Sequence, residues 1–197
     1  MSRIEDREIT KQLQEGSLEA LGMLYDRHRN LVYRTALAIT GDVDTASDLL
    51  QDVFLRLYRF AERIDSSRPL EPWLYRMTAN LAYTWVNRNK RWLFSLDDLG
   101  EWLIGAGKDT PLEMVEFKDD WDQVQNAVTK LPFPQRVVIV LYYLNDLPLQ
   151  EIADILEIPV GTVKSRLYYG RIALKKNLGI GLFGAGEIHP GFNYKGT

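Results

Sequence analysis

The chain has 197 residues, of which 46% are hydrophobic and 26% charged, and it contains no cysteine. This composition is ordinary for a soluble globular protein, and the lack of cysteine excludes disulfides, zinc ribbons and thiol catalysis. No apolar run approaches the roughly 18 residues of a membrane-spanning helix, and the N-terminus lacks the apolar segment of a secretory signal. We therefore expect a cytoplasmic protein with no membrane insertion of its own.

The net charge of −3 hides an uneven distribution of charged residues along the chain. Residues 72–95 and 160–178 carry basic side chains and no acid. Between them, residues 96–122 hold nine acidic side chains against two lysines. Two basic patches separated by an acidic connector indicate a partner with phosphates, because counterion release supplies much of the affinity for nucleic acid.

Apolar residues recur at helical spacing along most of the chain, and we find no convincing alternating strand pattern. The pattern predicts a first helix over about 4–14. A second helix follows the N-cap Ser17 and ends at Gly41, and a third is capped by Asp44 or Thr45.

Further along, 63–72 is predicted to be a loop, because it contains two prolines and two adjacent serines. An aromatic-rich helix over about 73–91 follows this loop. Roughly four more helices are expected from near Trp121 onward. The prediction is thus an all-α protein of two small helical domains, over 1–95 and 121–178.

A flexible acidic linker over 96–120 is expected to join the two domains, since its glycines and proline interrupt the helical pattern. The Gly-rich tail over 179–197 has few apolar anchors and is predicted to be an irregular extension rather than a domain.

The segment Leu149–Lys176 has the pattern of a helix-turn-helix. Pro148 suits the first turn of a short helix, Ala153 is small where a second helix must cross, and 157–159 forms the turn. The second helix presents small polar groups and tyrosines flanked by cations, which suits the major groove. The side chains expected to face DNA are Thr162, Lys164, Ser165, Arg166, Tyr168, Tyr169 and Arg171. The alternative is an ordinary helical hairpin whose basic face is merely solvated.

Three segments, in the same order and spacing, resemble the extracytoplasmic-function sigma factors of bacterial RNA polymerase. The segment 131–167 resembles region 4, 48–55 is similar to region 2.2, and 72–82 is similar to regions 2.3 and 2.4. The resemblance covers about 20–178. It implies a transcription initiation factor with core RNA polymerase and promoter DNA as partners, and an anti-sigma factor as regulator.

The resemblance assigns polymerase binding to region 2.2. Here Asp48, Gln51, Asp52 and Leu55 follow one another at i, i+3, i+4 and i+7 and form one stripe of a helix. A polar and acidic stripe with one apolar residue suits a protein interface better than DNA. A plain solvated face is the alternative.

The −10 element is assigned to the helix over 73–91 and the loop before it. The implied contact residues are Arg63, Trp73, Arg76, Asn80, Arg88 and Arg91. Asn80 and the 63–72 loop would form a pocket for a flipped base, while the arginines of the helix hold phosphates. Trp73 suits the core as well as it suits DNA contact.

The −35 element is assigned to the helix-turn-helix, with two departures from the family. Glu157 stands where the family often has glycine, so the turn is expected to be slightly strained. Tyr169 and Gly170 replace a pair that is often arginine and alanine. Because tyrosine cannot make the bidentate guanine contact of arginine, we expect a −35 preference different from the family's usual one.

The acidic linker has two interpretations. In the family it enters the nucleic-acid path of the polymerase, where its carboxylates would imitate the charge of RNA or template DNA. A generic solvated linker explains the same residues equally well.

Other classes of protein fit the sequence less well. A two-domain helix-turn-helix regulator that acts without polymerase would usually carry a receiver of alternating strands and helices. An enzyme is disfavoured, because there is no Gly-rich phosphate loop and the two histidines, His28 and His189, lie far apart. A helical hydrolase would need paired carboxylates, yet Asp48 and Asp52 are better explained as an interface. We expect no catalytic residue, no metal and no cofactor.

Overall fold

A computed structural model describes residues 2–96 and 115–179, with side chains over 6–88 and 122–179. Within these ranges every helix of at least two turns is an α-helix and no strand occurs, which confirms the all-α prediction. The helices are α1 Ser2–Gln14, α2 Leu18–Thr40, α3 Val43–Arg59, α4 Glu71–Leu96, α5 Val115–Thr129, α6 Phe133–Tyr143, α7 Leu149–Leu156 and α8 Val160–Asn177. We call α1–α4 the N-terminal bundle and α5–α8 the C-terminal bundle. None of the described helices is both long enough and apolar enough to span a bilayer.

The ends of α2 lie where the sequence predicts them. The Ser17 hydroxyl accepts a hydrogen bond from the backbone N–H of Ala20, at 3.2 Å, and so satisfies one of the free donors of the first turn. Gly41 ends the helix in the left-handed conformation, with φ 75°. Such a C-cap favours glycine because a Cβ is strained there.

The predicted N-cap of α3 is wrong. Asp42, and not Asp44 or Thr45, occupies that position, and its Oδ1 accepts from the N–H of Thr45 at 2.7 Å. Asp44 lies inside the first turn instead, where its carboxylate opposes the positive end of the helix dipole. The sequence contains two aspartates in reach of this helix end, and backbone geometry selects between them.

The segment before α4 is shorter and more regular than predicted. Ala61–Arg63 forms a 3₁₀ turn, and α4 begins at Glu71 rather than near Trp73. After α4, the residues 97–114 lie outside the described part of the chain, so most of the expected linker does too. The α5 helix begins at Val115, earlier than Trp121, and the predicted tail over 180–197 is likewise not described.

The N-terminal bundle is organised around α2. Fully buried side chains of this helix pack against α3 and α4, and they include Leu24, Val32 and Ile39. Helix α1 is fixed to α2 by the buried Asp6, whose two oxygens lie 2.5 Å from Arg27 Nη1 and 3.1 Å from His28 Nε2. A buried carboxylate needs such partners, since its desolvation is costly when unpaired.

The C-terminal bundle places α8 against α6 and α7. Its core includes Leu141, Ile152 and Leu167, all nearly inaccessible to solvent. Gly170 on α8 is buried, and a Cβ built there would lie 2.9 Å from Cγ1 of Ile139 on α6. The glycine therefore permits close approach of the two helices, which explains one departure from the family at this position.

The two bundles contact each other, chiefly through the C-terminal end of α2. Gln125 Nε2 on α5 donates to the carbonyls of Leu37, at 2.8 Å, and Ala38, at 3.2 Å. Arg136 Nη1 on α6 donates to the Ile39 carbonyl at 2.7 Å. The last carbonyls of a helix have few intrahelical partners and lie at the negative end of its dipole. The C-terminal bundle thus caps a helix of the N-terminal bundle.

Candidate nucleic-acid and polymerase interfaces

The stripe on α3 is exposed along its whole length. Asp48, Gln51, Asp52 and Leu55 all face solvent, and Leu55 is 52% accessible. The opposite side of α3 is buried through Leu49, Val53, Phe54 and Leu57. Among the described residues neither aspartate forms an ion pair, so the stripe presents its negative charge outward with an apolar side chain beside it.

A cavity of about 330 Å³ lies between the α3–α4 connection and α7. The N-terminal bundle lines it with Ile64, Asp65, Arg68, Pro69, Pro72, Trp73 and Arg76. The C-terminal bundle contributes Glu151, Asp154 and Ile155. The cavity therefore combines an aromatic ring, apolar walls and charged groups of both signs.

The shape of the connection is fixed by a local turn at Asp65. Its Oδ1 accepts from the Ser67 hydroxyl at 2.6 Å and from the Ser67 backbone N–H at 3.0 Å. These hydrogen bonds to the charged form lower the pKa of Asp65 below its usual value. An ionised Asp65 keeps the turn closed at neutral pH, as in other Asx turns.

The other residues predicted for the −10 element lie on the α3–α4 connection and along α4. Arg63 is exposed, with its guanidinium 5.5 Å from the centre of the Phe60 ring. Trp73 is half-buried: it packs against the core and also lines the cavity. Asn80 and Arg88 are exposed on α4, but Asn80 does not line the cavity. Arg91 belongs to α4, and its side chain lies outside the described ones.

Arg76 is occupied by the C-terminal bundle. Its Nε donates to the carbonyl of Ile155 at 3.0 Å, and its Nη2 donates to that of Asp154 at 2.8 Å. Its Nη1 lies 2.8 Å from Oε1 of Glu157. The guanidinium thus binds three oxygens at the C-terminal end of α7, where the helix dipole is negative.

The helix-turn-helix has the predicted elements, and its turn contains a residue in the left-handed region. Pro148 is the N-cap of α7, and Glu157 ends it with φ 54°. A side chain in this conformation is strained relative to glycine, as expected from the departure at this position. Ala153 is buried where α7 meets α8.

The α8 helix separates a buried face from an exposed one. Val163 and Leu167 are buried, whereas Tyr168 and Tyr169 are 61% and 58% exposed, and their rings pack edge to face at 5.3 Å. The other predicted contact residues on this helix are Lys164 and Ser165, which are exposed, and Thr162 and Arg166, which are partly so. The seven predicted side chains therefore share one helix, although Arg171 lies apart from the rest.

Arg171 packs on α6. Its guanidinium lies 5.4 Å and 5.5 Å from the ring centres of Tyr142 and Tyr143. A cation over aromatic rings is stabilised by their quadrupole. The side chain is only partly exposed, and this contact ties α8 to α6.

The cross-bundle contacts were missed by sequence reasoning. Gln125, Arg136 and Asn145 carry no local signal for them, because each partner lies far away in the chain. Asn145 Nδ2 donates to Thr35 Oγ1 at 3.0 Å. Burial lowers the pKa of the Arg136 guanidinium, and the backbone carbonyls around it stabilise its charge.

The sequence also did not predict a cluster of potential metal-ligating side chains, which consists of Asp6, His28 and Glu71. Their ligand atoms lie within 4.8 Å of one another. Both oxygens of Asp6 already have partners in Arg27 and His28. An arginine beside the carboxylate repels a cation, so the group serves as an ion-paired anchor for α1.

Comparison with known proteins identifies both bundles. Residues 24–92 match the family model "Sigma-70 region 2", and residues 121–174 match "Sigma-70, region 4". The ECF RNA polymerase sigma factor SigW of Bacillus subtilis is 34% identical over 177 residues, which is 85% of this chain and 94% of SigW. The chain belongs to the ECF sigma factors. SigM of the same organism is 32% identical over 77% of the chain and 91% of its own length.

Solved structures share this fold. CnrH in complex with the cytosolic domain of CnrY is 22% identical, with a TM-score of 0.64, and the match covers 89% of this chain and 97% of CnrH. The sigma factor RpoE of Bartonella quintana, in complex with the anti-sigma factor NepR, is 20% identical, with a TM-score of 0.66 over 83% of this chain and 99% of RpoE. At such identities the likeness concerns the fold.

Proposed function

We propose that this ECF sigma factor works through three surfaces: α3 for core polymerase, α4 and the 61–70 connection for the −10 element, and α8 for the −35 element. The observation that carries the proposal is the two-sided character of α8. Its buried face holds it on α6 and α7, and its exposed face carries cations, hydroxyls and two tyrosines. A helix held in this way enters the major groove with its outward side chains.

On α8, Lys164 and Arg166 would contact phosphates and fix the register on the duplex. Tyr168 and Tyr169 are placed to read base edges or thymine methyl groups, which arginine at the same position would read differently. Thr162 and Ser165 add short hydrogen-bonding groups. The base sequence preferred at the −35 element should therefore depend on Tyr168 and Tyr169.

The −10 element would be taken as a single strand. Unstacking a base costs a few kcal/mol per step, and the cavity beside Trp73 offers an aromatic and apolar environment that compensates for it. Arg63, Arg76, Arg88 and Arg91 would hold the backbone phosphates, with Asn80 further along the same helix. This assignment gives the two bundles separate DNA sites.

The α3 stripe would dock on the polymerase. Its negative charge would steer association with a basic surface, and Leu55 would supply an apolar contact at the C-terminal end of the stripe. These are binding roles, so the proposal includes no catalytic step. A protein that works at bacterial promoters would act in the cytoplasm.

One structural neighbour, the sigma factor RpoE of Bartonella quintana, is in complex with the anti-sigma factor NepR, and another, CnrH, is in complex with the cytosolic domain of CnrY. We extend this to the present chain and propose a protein regulator that covers one or both bundles. For the linker over 96–120 we keep the prediction that its carboxylates imitate nucleic-acid charge inside the polymerase. If neutralising Asp97, Asp98, Asp119 and Asp120 together left abortive synthesis unchanged, that role would be excluded.

The decisive experiment is run-off transcription on genomic DNA with cognate core polymerase, with and without the chain. We expect promoter-specific transcripts only when both are present. Binding to duplex promoter DNA by the chain alone, with no effect on core polymerase, would instead identify a stand-alone helix-turn-helix regulator.

A further inference from the structure

We propose that Gln14, the last residue of α1, is a positioning residue for the −10 site, because its side-chain amide holds the backbone of the 61–70 connection. The inference rests on the proposed function of that connection and of α4. The match to sigma-70 region 2 begins at residue 24, so α1 lies before the matched segment. The proposal therefore adds a helix outside that segment to the surface that takes the −10 strand.

The Gln14 amide bridges the start of the 3₁₀ turn and the residue that ends it. Its Nε2 donates to the carbonyl of Ala61 at 3.1 Å and to that of Ile64 at 2.7 Å. Because carbonyl oxygens only accept, the two N–H groups of the amide must face them. The Ala61 carbonyl also accepts from the N–H of Ile64 at 3.0 Å, within the turn itself. One side chain thus helps to fix the direction in which the backbone leaves the turn.

The helix that carries Gln14 is itself firmly held. The buried Asp6 attaches α1 to α2 through its ion pairs. Ile9 and Leu13 are buried in the core of the bundle, and Leu13 directly precedes Gln14. A binding site is precise only where the residues that support it are fixed by packing and hydrogen bonds. Gln14 meets this requirement, since it connects a packed helix to an irregular segment.

The segment after Ile64 leads directly into the cavity beside Trp73. Ile64 lines this cavity together with Asp65, Arg68 and Pro69. The last three are exposed, so core packing does not fix them. Their positions depend on the backbone that precedes them and on the local turn at Asp65. The hydrogen bonds from Gln14 therefore act on the cavity wall through the backbone at Ile64.

A second side chain of α1 acts on the same turn. The pKa of Asp65 is lowered mainly by the hydrogen bonds from Ser67, and the positive charges of Arg68 and Arg7 add to this effect. Arg7 and Gln14 are two helical turns apart and lie on the same face of α1. One face of α1 thus presents both a cation and a hydrogen-bond donor to the connection.

The expected consequence concerns the choice of base more than the overall affinity for the strand. Without the two hydrogen bonds, the segment after Ile64 would sample several positions, and strand binding would have to order it. Long arginine side chains can follow a phosphate backbone through such movement, whereas a pocket for a flipped base loses its shape. Discrimination between bases in the −10 element should therefore depend on Gln14.

Substitution of Gln14 in the holoenzyme tests the proposal. Gln14→Glu is nearly isosteric, but its carboxylate accepts instead of donating and repels both carbonyls. Gln14→Met keeps the length of the side chain without a donor or a charge, and it serves as a second variant if Gln14→Glu folds poorly. Gln12→Glu and Gln12→Met make the same substitutions at an exposed position of α1 and are the matched controls.

The readout is a ratio of two affinities of the holoenzyme for single-stranded DNA. One strand is the non-template −10 sequence of the promoter found by run-off transcription, and the other carries the single-base replacement that weakens binding most in the wild type. We expect the ratio to fall by about fivefold or more in Gln14→Glu, to fall in the same direction in Gln14→Met, and to stay unchanged in the Gln12 variants. Partial unfolding would lower both affinities equally and leave the ratio as it was. Competition for core polymerase, which depends on the α3 stripe, should not change.

The possible outcomes separate this proposal from the proposed function on which it rests. An unchanged ratio in either Gln14 variant that still binds core polymerase normally would overturn the positioning role. An equal fall of the ratio in the Gln12 variants would overturn it too, because the effect would then belong to α1 in general. Absence of any base preference in the wild-type holoenzyme would instead count against the proposed −10 site.

Discussion

At the scale of single residues, two glycines share a backbone conformation but not an environment. Gly16 and Gly41 have φ of 91° and 75°. A Cβ at Gly16 would meet nothing within 4 Å, whereas one at Gly41 would lie 2.5 Å from Cγ2 of Thr129 on α5. A substitution at Gly16 is therefore expected to introduce backbone strain alone. A substitution at Gly41 also introduces a steric clash with Thr129 of the other bundle.

We expect Gly16→Ala to lower the free energy of unfolding by about 1 kcal/mol, from left-handed strain. Gly41→Ala should cost about 1–3 kcal/mol more, because the added methyl group overpacks the contact with Thr129. Urea denaturation measures both values. Thr129→Ser removes the opposing methyl group but keeps the hydroxyl, so in that background the two glycine substitutions should cost the same. An undiminished difference would mean that Thr129 is not the neighbour of Gly41 in solution.

At the scale of helices, α3 and α8 each carry a buried face and a face with no role in holding the fold. Leu49, Val53 and Leu57 hold α3, and Val163 and Leu167 hold α8. Substitutions on the outward faces should therefore change binding while they leave stability within about 0.5 kcal/mol of the wild type.

For α3, we expect Asp52→Lys to weaken binding to core polymerase by about tenfold, because it places a cation in an acidic interface. Competition against a labelled sigma factor for core polymerase measures the loss. Asp26→Lys on α2 makes the same charge reversal on another exposed surface and should have little effect. Equal losses from the two variants would show that only net charge matters.

For α8, Lys164→Ala should weaken binding of the holoenzyme to −35 duplexes of different sequence to a similar extent. The slope of log K against log salt should fall by about 1, as for the loss of one phosphate contact. Titrations at several salt concentrations measure this slope. Lys130→Ala removes an exposed lysine at the end of α5 and is the matched control. An unchanged slope for Lys164→Ala would remove that residue from the phosphate contacts.

At the scale of the whole molecule, the two bundles are joined by polar groups buried between them. Tyr75 of α4 is 6% exposed and hydrogen-bonds to the Asn145 side chain of the other bundle. Burial raises the pKa of the Tyr75 phenol, despite the opposing effect of that hydrogen bond. The folded chain therefore holds this proton more tightly than the unfolded chain does.

The sign of the pH effect follows from linkage. The contribution of Tyr75 is complete below the unfolded pKa of about 10 and is lost as the pH rises through the higher folded value. We expect the free energy of unfolding to fall less between pH 9 and about 11 in Tyr75→Phe than in the wild type. Chemical denaturation across this range tests it, with Tyr168→Phe on the exposed face of α8 as control. Parallel curves for wild type and Tyr75→Phe would contradict the burial of this phenol.

The sequence by itself determined the helical class, most helix positions and the faces of α3 and α8, because each depends on side chains a few residues apart. Helical periodicity places Asp48 and Leu55 on one stripe independently of tertiary packing. Ser17 and Gly41 mark helix ends because capping depends on local backbone chemistry. The order and spacing of three motifs also indicated the family. Even locally, the choice of Asp42 over Asp44 as a cap depended on where the backbone of α3 begins.

Only the tertiary structure decided how the bundles meet. The partners of Arg76, Gln125 and Asn145 lie far off in the chain, so no periodic or capping rule connects them. The family resemblance predicted Arg76 as a phosphate contact, and the structure shows oxygens of α7 and Glu157 as its partners. A guanidinium binds whichever acceptor oxygens the fold brings within reach, here two backbone carbonyls and one carboxylate, and that depends on how whole helices pack.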